Sequence, residues 1–203
     1  MGDEIMNKSI RSAFLAFVVF MVLLSGCAPA STSIPADRNK NNLSAKWLVT
    51  ADEINSFSKD IGVIQWELVD ELAGENAIHH TFKGVSWSSN PNEALNRITK
   101  IYPGSTFEDI IKSMFKSGDL LEGAVPVKSS LSFDSDFAVY AGAFPNGQSV
   151  YDLFVVKNNL FYWASVSVGA PAGNTPIMLY EGNQEIIDTF LSNLIMINLE
   201  RSK

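Results

Sequence analysis

Two neighbouring histidines are the first residues in this sequence that could do chemistry. His79 and His80 are the only histidines in the chain of 203 residues. Adjacent side chains on a β-strand point to opposite faces, so this pair cannot bind one metal ion together in regular strand geometry. His80 stands between Ile78 and Phe82 and is predicted to be a core-edge histidine with a hydrogen-bond partner. His79 is predicted to lie in solvent.

Asp134 and Asp136 place two carboxylates on one strand face or around one turn. Carboxylate oxygens suit Ca²⁺, but a calcium site needs about six or more ligands, and the spacing of an EF-hand loop is absent. The motifs of acyl hydrolases, nucleotide-binding loops and dinucleotide-binding folds are absent too. We therefore predict no metal, no cofactor and no enzyme, and a solvated strand entry at these two residues. A hydrolase that uses scattered carboxylates such as these is the alternative.

The one cysteine of the chain, Cys27, directly follows an apolar segment. Residues 13–24 carry no polar side chain, basic residues precede them, and small residues follow. A basic start, a short apolar run and a small-residue exit predict a secretory signal peptide over residues 1–26. A membrane-spanning helix needs about 20 apolar residues, and this run is shorter. A buried core helix is the alternative.

The residues Leu24-Ser25-Gly26-Cys27 resemble the lipobox of bacterial lipoproteins. The resemblance implies that the Cys27 sulfur receives a diacylglyceryl group and that cleavage leaves Cys27 as the first residue. Two or more acyl chains then hold the chain stably on a membrane. Ala28 stands where the family's inner-membrane retention signal has aspartate, which implies the outer membrane in a cell with two membranes. In a cell with one membrane the chain would face outward on it. A free thiol beyond an ordinary cleavage site is the alternative.

Two acidic residues, Asp3 and Glu4, are unusual ahead of a signal peptide. Translation from Met6 would remove both and leave a basic amino-terminal segment. We predict that start, and N-terminal mapping of the unprocessed precursor that finds Asp3 would contradict it.

The composition limits the partners of the remaining chain. The formal net charge is −7, and no cluster of lysine and arginine occurs, which excludes nucleic acid as a partner. With no cysteine after Cys27, the core alone must hold the fold together, and aromatic residues are plentiful. Residues 27–46 contain the cysteine and a polar tether of roughly 24 Å root-mean-square length. Residues 47–203 are predicted to form a single domain.

Three helices are predicted from capping signals and apolar stripes. Thr50–Glu53 has capping-box spacing and opens a short helix to about Ser58. Ser105–Glu108 has the same spacing and opens a longer helix that Gly118 ends. Asn183 is predicted to cap the third. The apolar stripes of the two longer helices consist of Phe107, Ile110, Ile111, Met114 and Phe115, and of Ile186, Ile187, Phe190, Leu191, Leu194 and Ile195.

Six strands are predicted from alternation and from β-branched and aromatic content. They cover residues 64–68, 78–87, 94–102, 137–144, 150–156 and 160–168. In the first strand Ile64, Trp66 and Leu68 share the buried face. In the second, Gly84 is predicted to mark a bulge that turns Val85 and Trp87 inward.

The remaining connections are assigned from turn chemistry. Residues 94–102 also fit a helix with Leu95, Ile98 and Ile101 on one side, and we prefer the strand. Asn158-Asn159 is predicted to be a two-residue hairpin turn, because asparagine tolerates positive φ. Residues 119–135 are predicted to be a loop.

Six strands in hairpin order and three helices predict an α+β fold, in which the two longer helices lie on one face of an antiparallel sheet. The element order of the second half resembles that of small extracytoplasmic lipoprotein domains of unknown function, including those likened to the Mog1/PsbP fold. This is an analogy of order and length, without a shared motif.

Aromatic residues supply the candidate site. Phe161 and Trp163 share the second face of a strand whose first face is already apolar. With Trp87 they are predicted to form an exposed patch, which is typical of a partner or ligand site. The alternative is that the loop of residues 119–135 covers them. The sequence favours a non-enzymatic, membrane-anchored module that binds a protein or another envelope component through this aromatic face. The second hypothesis is a carrier or sensor of a small apolar ligand.

Overall fold

One antiparallel sheet organises the part of the chain that the structure describes. The structure, a computed structural model, describes residues 42–58, 61–85, 92–169 and 175–203. The strands are β1 (Gln65–Ala73), β2 (Ala77–Val85), β3 (Asn92–Lys100), β4 (Val125–Val127), β5 (Asp136–Ala143), β6 (Gln148–Lys157) and β7 (Leu160–Gly169). They lie in the order β1-β2-β3-β7-β6-β5-β4, and each neighbouring pair is antiparallel.

Four α-helices accompany the sheet in the described ranges. They are α1 (Ala51–Phe57), α2 (Phe107–Ser117), α3 (Pro176–Gly182) and α4 (Gln184–Arg201), and a 3-10 turn at Ala45–Trp47 precedes them. The α+β class and the antiparallel sheet are thereby confirmed, and residues 92–100 are a strand as preferred. The predicted counts were each one too low. The stretch predicted as a loop contains the short, proline-bearing β4, and Thr175 with Pro176 starts the unpredicted α3.

The predicted placement of the two longer helices on one face of the sheet is wrong, because they lie on opposite faces. Along β7, Tyr162, Ala164 and Val166 join the core beneath α4. The alternate residues Phe161 and Trp163 join a second core beneath α2. The physical reason is that β6 and β7 are apolar on both faces, and each face needs its own cover.

Side-chain caps fix where α1 and α2 begin. At Thr50, the predicted capping box with Glu53 is present. The second box lies one residue later than predicted, because Thr106 is the N-cap and Asp109 is its partner. Gly118 ends α2 in the left-handed conformation at φ 81°, as predicted.

A close approach of the backbone, and not a bulge, explains Gly84. The register of β2 is regular at this residue against both of its neighbours, and the shift lies instead in β1 between Leu68 and Asp70. A Cβ atom on Gly84 would lie 2.9 Å from a methyl carbon of Val63 and 3.2 Å from the Trp66 ring. The predicted inward turn of Val85 is wrong, since its side chain is 46% exposed.

β1 is an edge strand with little burial. Of the three residues predicted to share its buried face, Trp66 is buried, whereas Ile64 and Leu68 are 56% and 42% exposed. The amide of Asn55 on α1 bonds to both backbone groups of Trp66, at 2.7 Å to its N–H and 3.0 Å to its carbonyl. The Asn55 side chain thus takes up the backbone N–H and carbonyl of Trp66, to which an additional strand would otherwise bond.

The last helix is bonded to residues near the start of the described chain. Arg201 donates from Nη1 to the carbonyl of Leu48 at 2.8 Å and forms an ion pair with Glu53. With the Asn198 amide oriented to donate, its nitrogen lies 2.9 Å from the carbonyl of Trp47 and 3.0 Å from Oδ1 of Asn96 on β3. The first described residues, the central strand and the last helix therefore share one hydrogen-bond network, which is buried at Asn96 and Asn198 and reaches the surface at Arg201.

Candidate functional site

A groove between α2 and the sheet is the candidate site. It has a volume of about 250 Å³ and opens to solvent. Phe161 and Trp163 of β7 form its floor, and Ile110 and Met114 of α2 form one wall. The capping box of Thr106 fixes the start of that helix, and its apolar stripe holds it over β7. The groove therefore depends on α2 lying on this face.

Stacked aromatic rings beneath the groove hold its floor in place. Phe154 of β6 stacks on Phe161 with ring centroids 5.6 Å apart, and it lies 5.9 Å from Trp163. Such pairs contribute about 0.5–1.5 kcal/mol each beyond their burial. The floor is therefore a preformed surface and not a set of independent side chains.

A buried carboxylate fixes the orientation of the Trp163 ring. Asp152 of β6 is 3% exposed, and its Oδ1 accepts a hydrogen bond of 2.8 Å from Nε1 of Trp163. Burial raises the pKa of Asp152 to about 6, although hydrogen bonds from Ser165 and Trp163 act to lower it. A titratable group thus lies beside the floor of the groove, on the same face of the sheet.

On the strand beside the floor, Arg97 provides a positive charge in the groove. Its guanidinium carbon lies 5.8 Å from the centroid of the Trp163 ring, which is the distance of a cation–π contact. Its Nε donates to Oγ1 of Thr99 at 3.3 Å. Lys100 and the exposed ring of Tyr102 also line the groove. An aromatic floor and a cationic side therefore meet in one site.

The two acidic residues that line the groove are already bonded locally. Asp109 accepts from the hydroxyl of Thr106 at 2.7 Å and from its backbone N–H at 3.1 Å, and these bonds lower the pKa of Asp109. Asp119 accepts from the hydroxyl of Ser117 at 2.7 Å. Both carboxylates stay charged at the ends of α2, and within the described ranges neither forms an ion pair with Arg97.

The histidines lie apart from the groove and on opposite faces, as predicted. His80 is buried, and its Nδ1 lies 2.8 Å from the carbonyl of Val49, so its predicted role as a core-edge histidine is confirmed. His79 is not simply solvated, because its Nε2 pairs with Asp70 at 2.8 Å. Within the described ranges, no group of three or more histidine, cysteine or acidic residues could hold a metal ion.

Two further acidic features are explained without a ligand. Asp134 and Asp136 are exposed at the entry to β5, and neither lines the groove. Asp188 of α4 is buried, but its oxygens accept bonds from Tyr180, Ser129 and Ser130 at 2.6 to 2.9 Å. These bonds attach α3 and the segment after β4 to the last helix.

The structure brings Phe161 and Trp163 together, but not as the predicted exposed patch. Their side chains are 6% and 7% exposed, because α2 covers them together with Leu120 and Ala124. The alternative, that residues 119–135 cover the two rings, is therefore correct in part. Trp87 and Cys27 lie outside the described residues.

Sequence reasoning missed Arg97 and Asp152. The signal for Asp152 was present, since it is the one charged residue within the apolar run from Val150 to Val156. A buried charge in such a run requires partners, and Trp163 is one of them. For Arg97, the strand assignment alone would have placed it on the same face as Leu95 and Thr99.

In the described ranges, we find no helix with the length and apolar character needed to span a membrane.

Comparison with known proteins adds little. No family model and no curated protein matches the sequence. Among solved structures, the crystal structure of human STARD10 is similar at 10% identity, covering 85% of this chain and 83% of that chain, with a TM-score of 0.26. A likeness this low carries no argument about fold or function, so the proposals below rest on the residues of this chain.

Proposed function

We propose that this protein is a lipid-anchored, extracytoplasmic binding module without enzymatic activity, and that the groove beneath α2 is its binding site. The observation that carries the proposal is the preformed aromatic floor. Phe161 and Trp163 are held by Phe154 and Asp152, yet both still line an open groove. Concave sites with an aromatic lining and a few placed polar groups are typical of small-molecule binding.

The depth of the floor favours a small molecule over a protein partner. Because the two rings are nearly covered, a flat protein surface would contact α2 and the groove rim before it reached them. The volume of about 250 Å³ lies just below the range of roughly 300–1,000 Å³ for drug-sized ligands. Of the two binding hypotheses drawn from the sequence, the geometry therefore supports the carrier or sensor of a small ligand better.

Anchoring by Cys27 belongs to the same proposal and rests on its lipobox residues. Acyl chains on Cys27 would keep the domain at the membrane, on the outer membrane if the cell has two. The tether begins after Cys27, and Leu43 already contacts the core. The hydrolase alternative receives no support from geometry, because Asp134 and Asp136 lie away from the groove.

Native mass spectrometry of the full chain, purified gently in mild detergent, tests the proposed site. We expect the wild type to carry extra mass that is lost on denaturation. Ser113→Trp fills the groove from the exposed side of α2 and should remove that mass. Lys116→Trp is the matched control, since Lys116 is exposed on the same helix but does not line the groove. Equal bound mass in all three proteins would disprove the groove as the site.

A further inference from the structure

Arg97 is a cation in the groove without an ion pair. The lining also contains the carboxylates of Asp109 and Asp119, but these accept hydrogen bonds at the two ends of α2. Within the described ranges, Arg97 has no ion pair with either of them or with any other carboxylate. Its charge is therefore available to a ligand.

Arg97 is held in place by contacts that leave its two terminal nitrogens unused. The Trp163 ring and the hydroxyl of Thr99 restrain the guanidinium through its face and through Nε. Among the described residues, Nη1 and Nη2 have no hydrogen-bond partner. A restrained guanidinium with free terminal nitrogens offers the planar fork that binds carboxylate, sulfonate or phosphate oxygens in pairs.

Building on the proposed function, we infer that the groove binds a small aromatic anion. Its ring lies on Phe161 and Trp163, and its negative group takes two hydrogen bonds from Arg97. The small volume limits the ligand to about one or two fused rings with a short acidic arm.

A matched pair of probes separates this inference from the proposed function. 1-Naphthylacetate and 1-naphthylacetamide have nearly the same shape, but only the first is an anion. Their affinities are measured by equilibrium dialysis against the full chain in lipid nanodiscs, with empty nanodiscs as the background. We expect the wild type to bind the anion roughly tenfold more tightly or better, since hydrogen bonds to charged groups are the stronger ones.

Variants at Arg97 test whether this residue causes the preference for the anion over the amide. In Arg97→Gln, the ratio of anion to amide affinity should fall about tenfold, to near one, whether or not the two affinities themselves change. A thermal unfolding transition close to that of the wild type shows that the variant folds. Arg97→Lys keeps the charge but loses the fork, so it should recover only part of the discrimination.

Each outcome decides between the two proposals. If the wild type binds both probes equally, the anion inference is overturned and the groove remains a binding site. If the anion binds more tightly but Arg97→Gln leaves the ratio unchanged, the assignment to Arg97 is overturned. If neither probe binds, the groove does not accept small aromatic ligands, and both proposals fall.

Discussion

Asp152 carries a cost that is rare for a strand residue, because its carboxylate is buried in the middle of the sheet. It lies beside the aromatic floor, bonded to Trp163, and does not line the groove. Its hydrogen bonds with Trp163 and Ser165 offset only part of the loss of solvation, because its pKa remains raised. An ionised Asp152 therefore weakens the folded state while it orients the ring that forms the floor.

The raised pKa of Asp152 makes the stability of the fold depend on pH. The pKa of Asp152 is about 6 in the folded protein and near 3.8 in the unfolded chain, so the folded state binds the proton more tightly. The penalty is absent well below pH 3.8, develops as pH rises from about 3.8 to about 6, and is complete above that range, at about 3 kcal/mol at most. Asp152→Asn should therefore raise the free energy of unfolding more at pH 7.5 than at pH 4.5.

Denaturant unfolding of the full chain at both pH values measures this difference. Asp136→Asn, which makes the same chemical change at an exposed position of β5, is the control. A gain for Asp152→Asn that is the same at both pH values would contradict the raised pKa.

At the scale of elements, local signals predicted most of the fold. Thr50 with Glu53, and Asn158-Asn159 with φ values of 54° and 61°, adopt the predicted cap and turn because these depend only on neighbouring residues. The side of the sheet that α2 covers could not be read from its own stripe, since an apolar helix face fits either side. That information lies in β6, whose nearly continuous apolar run requires cover on both faces.

The groove depends on the cap of α2, and that dependence can be measured. Thr106→Ala removes the hydroxyl that accepts from the Asp109 N–H and donates to its carboxylate. Loss of an N-cap costs about 1 kcal/mol, so thermal unfolding should occur at a lower temperature. Thr106→Ser retains the hydroxyl and should be close to wild type. Equal destabilisation by both variants would show that the Thr106 methyl group, and not the cap, matters.

Gly84 on β2 lies so close to Val63 and Trp66 that a larger residue does not fit there without movement. In Gly84→Ala the new methyl group would lie 2.9 Å from Val63 and 3.2 Å from Trp66, so those residues must shift. Overpacking of this kind costs roughly 1–3 kcal/mol. Gly169→Ala is the control, because nothing lies within 4 Å of its added Cβ. A Gly84→Ala protein as stable as Gly169→Ala would mean that the Val63 and Trp66 side chains move aside freely.

At the scale of the whole molecule, the proposal joins an anchor to a binding domain. Cys27→Ser removes the sulfur that would carry the diacylglyceryl group. We expect wild type expressed in a bacterial host to incorporate an alkyne-tagged fatty acid and to sediment with membranes. The Cys27→Ser protein should lose the label. Equal labelling of both proteins would show that the acyl chains are not on Cys27.

The network of Arg201, Asn198 and Asn96 has a mechanical consequence for a domain held at its amino-terminal end. In the proposed anchored protein, a pull on that end would meet Trp47 and Leu48, whose carbonyls accept hydrogen bonds from the last helix, and Asn198 of that helix also bonds to Asn96 on β3. Detaching the first described residues therefore requires breaking bonds to the end of the chain. A domain tethered this way would resist unravelling from the end at which it is held.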